Sequence, residues 1–93
     1  GGNVNAENVQ INKFQGGEFQ LAVFPNPAKE VLKVQSNETI NFIRLSNQIG
    51  QMVEESVIDA TNYTINTSNL SNGIYILEVH TQNNVSVQKI VIE

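Results

Sequence analysis

From Glu18 onward the chain is a series of short apolar runs with two-residue alternation, each closed by turn-forming residues at a spacing of roughly eight to twelve positions. Phe19, Leu21 and Val23 alternate with Gln20 and Ala22, which gives a first half-buried strand that Pro25-Asn26-Pro27 stops. Leu32 and Val34 alternate with Lys33 and Gln35 in a second strand, ended by Ser36-Asn37. Ile40–Leu45 is a third, with Ile43 and Leu45 on one face and Arg44 between them. Asn47–Gly50 turns it into a fourth, Met52–Ile58, where the alternation predicts Val53 and Val57 inside and Glu54 partly outside. Tyr63 and Ile65 mark a brief fifth segment.

Leu70-Ser71-Asn72-Gly73 leads into the strongest run, Ile74–His80, in which Tyr75, Leu77 and Val79 alternate with Ile76 and Glu78. Asn83-Asn84 supplies residues that tolerate positive φ, as a tight hairpin needs, and Val85–Ile92 returns as the last strand. There Val85, Val87 and Val91 fall on one face and Ile90 and Ile92 on the other, so either both faces are covered or a bulge shifts the register. The pattern predicts an all-β domain of about seven antiparallel strands, a sandwich or barrel with no helix. Residues 1–17 carry only the short Val9–Phe14 patch of apolar character and end in Gly16-Gly17, the composition of a linker with one marginal strand.

Composition narrows the function. A chain of 93 residues is one small domain, and with no cysteine its stability rests on a single thin core without disulfides or zinc thiolates. The formal net charge is -4 and the basic positions (Lys13, Lys29, Lys33, Arg44, Lys89) are scattered, whereas nucleic-acid binding calls for a clustered positive face. No apolar run approaches the roughly 20 residues that span a bilayer as a helix. The opening Gly1-Gly2-Asn3, without a leader, reads as a piece of something longer. Fourteen asparagines favour turns and polar strand faces.

Catalytic groups are scarce. One histidine, His80, and no cysteine cannot assemble a zinc site, a Cys–His pair or a Ser–His–Asp triad, and His80 reads as a strand-end residue. Glu54-Glu55 are adjacent on a strand, so their carboxylates diverge and read as a solvated pair. Gly50 and Gly73 are isolated turn glycines, with neither the second glycine nor the lysine of a phosphate loop. Asn37, Asn62, Asn66, Asn69 and Asn84 match the glycosylation pattern, as any chain rich in Asn, Ser and Thr does. Phe24, Phe42, Tyr63 and Tyr75 lie in or beside apolar runs, where a core role precedes a sugar-stacking one, and tryptophan is missing. No cofactor is implied.

Two corners have definite geometry. Pro25 and Pro27 each fix φ and press the preceding residue toward extended backbone, so the chain leaves the first strand along a rigid path. Leu70-Ser71-Asn72-Gly73-Ile74-Tyr75 resembles the Greek-key corner in which a Tyr near a strand start bonds back to upstream backbone, Gly73 taking the strained angle and Leu70 plugging the core.

Phe24-Pro25-Asn26-Pro27-Ala28, then Ile43–Val53 with Asn47 and Gly50, then Leu70–Tyr75 with Gly73, then Lys89-Ile90-Val91-Ile92 follow one another in a single order. Together they resemble the C-terminal type A sorting domain of the type IX secretion system of Bacteroidota-type bacteria, over about residues 19–93. Members commonly end in a basic residue, where this sequence has Glu93. The resemblance implies a small Ig-like Greek-key β-sandwich over 18–93, preceded by a linker over 1–17 from an upstream passenger. It implies a non-catalytic address that passes through the periplasm, is recognised by the outer-membrane translocon and delivers the passenger to the cell surface or beyond. A sortase-like surface peptidase would cut near Gly16 and Gly17. Lys89, Ile90, Val91, Ile92 and Glu93 are the expected recognition segment, because a terminal strand offers backbone for strand addition. Pro25, Asn26, Pro27, Asn47, Gly50, Leu70, Gly73 and Tyr75 are the mainly structural motif positions. The alternative is a carbohydrate-binding or adhesive β-sandwich appended to a secreted enzyme, which predicts exposed aromatics or a calcium cage.

Overall fold

The computed structural model describes residues 9–14 and 17–93, with side chains from Phe19 onward. Alternating apolar positions take up strands β1 (Val9–Phe14), β2 (Gly17–Phe24), β3 (Val31–Asn47), β4 (Met52–Asn66), β5 (Gly73–Thr81) and β6 (Val85–Ile92). Consecutive hydrogen-bonded neighbours run β1-β2-β3-β5-β6, every pair antiparallel, and β4 pairs with β3. The all-β, helix-free expectation holds for the described residues, but the expected seven strands become six, five of them from Gly17 onward.

The reason lies in β3 and β4. The sequence suggests a break at Ser36-Asn37, yet the backbone continues through register irregularities between Gln35 and Ile40 and again between Ile40 and Phe42. Bulges bend a strand without ending it. The polar side chains at the bend serve as partners for other groups: Ser36 Oγ accepts from the Glu38 N–H at 2.9 Å, and Asn37 Oδ1 accepts from the Gln20 N–H at 2.9 Å. The first part of β3 therefore lies between β2 and the end of β4, and the second part between the start of β4 and β5. One curled antiparallel sheet results, with each of these two long strands serving both of its halves.

Side chains from both halves bury into one cluster: Phe19, Leu21 and Val23 of β2, Leu32, Val34, Ile40, Ile43 and Leu45 of β3, Ile65 of β4, Leu77 and Val79 of β5, and Ile90 and Ile92 of β6. On β4 the expected facing is reversed. Leu45 pairs with Glu54 but Ser46 pairs with Met52, so Val53 is an extra residue that shifts the period by one. Val57 is consequently 87% exposed, while Glu54 and Ser56 turn toward Tyr63, whose hydroxyl is 3.2 Å from Ser56 Oγ and 3.4 Å from Glu54 Oε2.

The β5–β6 hairpin also differs from expectation. No described residue other than glycine has positive φ, so the asparagines are not there for left-handed backbone. Thr81 N–H donates to the Asn84 carbonyl at 2.8 Å, and Asn84 N–H donates to the Thr81 hydroxyl at 3.0 Å. Asn84, 8% exposed, sends its amide to both Glu38 carboxylate oxygens at 2.9 and 3.0 Å, and the Thr81 hydroxyl donates to Glu38 Oε1 at 2.6 Å. Glu38 thus ties the bend of β3 to the hairpin 43 residues later. These bonds, the Thr81 hydroxyl first, hold its carboxyl below the ordinary glutamate range against the opposing effect of desolvation. Because the folded value is depressed, the stabilisation is present above the ordinary glutamate value and is lost as pH falls through the folded value. Melting curves from neutral to acid pH are expected to show this acid loss in the native sequence and a flatter acid limb in Glu38→Gln. Parallel profiles would remove Glu38 from the acid response.

Candidate recognition surface

The corner after β2 and the end of β6 meet. Phe24-Pro25 and Asn26-Pro27 are both cis, and the chain leaves them at Ala28, which is fully buried. Ala28 N–H donates to the Val91 carbonyl at 2.9 Å, Glu93 N–H donates to the Ala28 carbonyl at 2.8 Å, and Val91 N–H donates to Asn26 Oδ1 at 3.0 Å. Ala28 and Ile92 make a parallel bridge. The Pro25–Pro27 corner therefore closes the outer edge of β6 over its last residues. This partnership spans 65 positions, and no local signal in the sequence announces it.

Alternation then assigns the rest of the tail. Ile90 and Ile92 are buried, Lys89 and Glu93 exposed, and Val91 half-buried. The two-faced apolar pattern of β6 resolves without a register shift: Ser86, Ile90 and Ile92 face the core, while Val85 and Val87 are 56% and 57% exposed.

Beside the tail stands the Gly73 corner. Gly73, with φ of +153°, pairs with Ile92, and the Tyr75 hydroxyl donates to the Ser71 carbonyl at 2.7 Å. Leu70 packs partly buried against the core. The turn after β3 faces this corner. Asn47 Oδ1 accepts from the Ile49 and Gln51 N–H groups at 3.1 and 2.9 Å, and Gly50 takes φ of +92° while donating to the Asn47 carbonyl at 2.9 Å. Such side-chain-to-backbone bonding is why asparagine suits a turn of this kind. Asn47, Leu70, Gly73 and Tyr75 line one shallow groove of about 440 Å³, walled by Ile49 and Ile74. Pro25, Asn26 and Pro27 do not line it but hold the tail.

The outer face of β4, β3 and β5 carries charges in register. Arg44 Nε is 3.1 Å from Glu55 and its Nη1 3.4 Å from Glu78, and Glu78 also meets His80 Nε2 at 3.1 Å. Phe42 lies under this ladder, 5.3 Å from Arg44 and edge-on to His80 at 5.3 Å. Exposed pairs of this kind contribute little stability but leave the local charges satisfied. Lys89, next along the same face, has no ion-pair partner among the described residues.

No group of three or more potential metal ligands occurs among the described residues, and no helix there is long and apolar enough to cross a membrane. Phe19 and Tyr75 are buried and Phe24, Phe42 and Tyr63 half-buried, so the described aromatics form no exposed platform for sugars. Asn84 is committed to Glu38 and cannot serve as a glycan acceptor. Gly16 lies outside the described residues, and Gly17 opens β2 opposite Phe14. Missed from the sequence were Glu38, which joins β3 to the hairpin, and the outward placement of Val85 and Val87.

Comparison with known families gives a match over residues 22–93 to the secretion system C-terminal sorting domain. No curated protein matches the chain.

Proposed function

We propose, because this chain belongs to the family of secretion system C-terminal sorting domains and carries a sorting signal for type IX secretion, that Lys89–Glu93 is the segment its export machinery reads. A sorting signal of this kind is recognised by the type IX system and directs export of a preceding passenger to the cell surface or extracellular space. The observation that carries the assignment is exposed Lys89, without an ion-pair partner among the described residues, together with exposed Glu93, on a tail whose other residues are fixed by the core and the Pro25–Pro27 corner. A rigid tail presents its side chains with little ordering cost on binding.

In this reading residues 18–93 are the sorting domain and 1–17 the linker from the passenger. The domain is a non-catalytic address, a variant of the Ig-like Greek-key sandwich in which β3 and β4 each serve both layers. The passenger crosses the periplasm, the outer-membrane translocon engages the tail, and a sortase-like surface peptidase cuts near Gly16 and Gly17. A cut there leaves Phe19 and the rest of the described core in one piece.

Truncation is a poor test, because Ile90 and Ile92 belong to the core. Lys89→Ala with Glu93→Ala, placed in the 93-residue chain behind a reporter in a bacterium with type IX secretion, removes only exposed side chains. Surface and medium yield is expected to fall about tenfold, the loss of one contact worth about 1.4 kcal/mol, with the melting temperature unchanged. Wild-type yield from the folded double variant would overturn the assignment.

A further inference from the structure

The two outer edges of the curled sheet that β4 and β6 form are unlike. Along β4 the ladder with β3 is interrupted by shifts near Ile40 and Ser46, and the strand carries Glu54, Glu55 and Asp59 with no basic residue. Bulges and charges are the usual protection of an edge against pairing. The β5–β6 ladder instead runs from His80↔Val85 to Gly73↔Ile92 without a shift.

The direction of the β6 backbone follows from its tail. Both backbone groups of Val91 are bonded on the side away from β5, to Asn26 and Ala28. In an antiparallel ladder alternate residues direct N–H and C=O to the same side, so Val87 and Lys89 also direct theirs away from β5. The Thr81–Asn84 backbone bond agrees with this phase. Since β6 ends the strand order, no strand of the described residues pairs with Val87 or Lys89 on that side. Among the described residues this stretch therefore combines open backbone, two exposed valines and a cation without an ion-pair partner at alternate positions.

We propose that the edge of β6 from Val85 to Lys89 accepts one extended strand of the export machinery, with apolar side chains opposite Val85 and Val87 and a carboxylate opposite Lys89. The proposal rests on the reading of the tail as the recognised segment and gives it a mode and a limit. Pairing stops at Val91, where Asn26 and Ala28 already occupy the edge. Main-chain bonds supply affinity and the alternate side chains supply choice of partner.

Val87→Pro in the full chain behind the same reporter deletes the outward N–H, a change an edge strand tolerates. Export is expected to fall about tenfold or more at unchanged melting temperature, as for loss of strand pairing. Val85→Lys with Val87→Lys places edge-protecting cations on exposed positions and is expected to do the same; it decides the matter if the proline variant does not fold. Val57→Lys, on the exposed face of β4, is expected to leave export unchanged. Wild-type export by either folded β6 variant overturns strand pairing. If Lys89→Ala with Glu93→Ala still lowers export in that case, the tail reading survives alone; if it does not, both fall.

Discussion

Leu77→Ala is expected to lower the free energy of unfolding by about 2–5 kcal/mol. Leu77 is fully buried in the middle of β5, opposite Leu45 on β3 and Gln88 on β6. Ladders on both sides pin the β5 backbone, so it cannot shift into the vacated space, and the truncation leaves a cavity as well as losing buried area. A domain of this size has a total stability on the order of 5–15 kcal/mol, so the variant loses a large fraction of it. The melting temperature is expected to fall by about 10 °C or more. Urea unfolding with an unchanged slope checks the magnitude, and a loss below about 1 kcal/mol would show that the core closes around the gap.

Gly73→Ala is expected to cost about 1–3 kcal/mol, all of it from the backbone. A Cβ at this position meets nothing within 4 Å, so neither a clash nor a new contact enters; what remains is the φ of +153°, which residues with a side chain rarely adopt. The corner has little room to relax. Two residues on, Tyr75 is buried and its hydroxyl is bonded to Ser71 at 2.7 Å, while Gly73 itself pairs with Ile92. The strain is thus delivered to the tail, and amide exchange at Ile92 is expected to quicken along with the loss of stability. Gly50→Ala meets the same open space at φ of +92°, but in an exposed turn, and is expected to cost less. Unfolding midpoints for Gly73→Ala equal to those of the native sequence would show that the corner does not depend on glycine.

Much of this domain is legible along the chain because a strand's inner face is set by which side chains leave water. Phe19, Leu21, Val23, Leu32, Val34, Ile43, Leu45, Leu77 and Val79 are all buried, as two-residue alternation requires. The corners at Pro25–Pro27 and Gly73–Tyr75 are equally local, since they follow from fixed φ, permitted φ and one hydroxyl within reach of nearby backbone. The ordered motifs along the chain likewise suffice to suggest the family to which residues 22–93 are matched.

What alternation does not contain is where a strand bends. A bulge is one extra residue opposite a partner, so it exists only once two strands are paired, and it decides that Val53 and Val57 face solvent and that β3 and β4 each run through both halves of the sheet. The same limit hides the fate of polar groups. Asn26 reads as part of a proline corner and Glu38 carries no signal of its own, until folding brings Val91 and Asn84 to them. The chain by itself therefore determines the inner faces of β2, β3 and β5 and the rigid corners, through hydrophobicity and backbone sterics that act within a few residues. Only the tertiary structure decides which part of the last edge is sealed and which is open, because backbone hydrogen bonds between distant segments are satisfied in three dimensions.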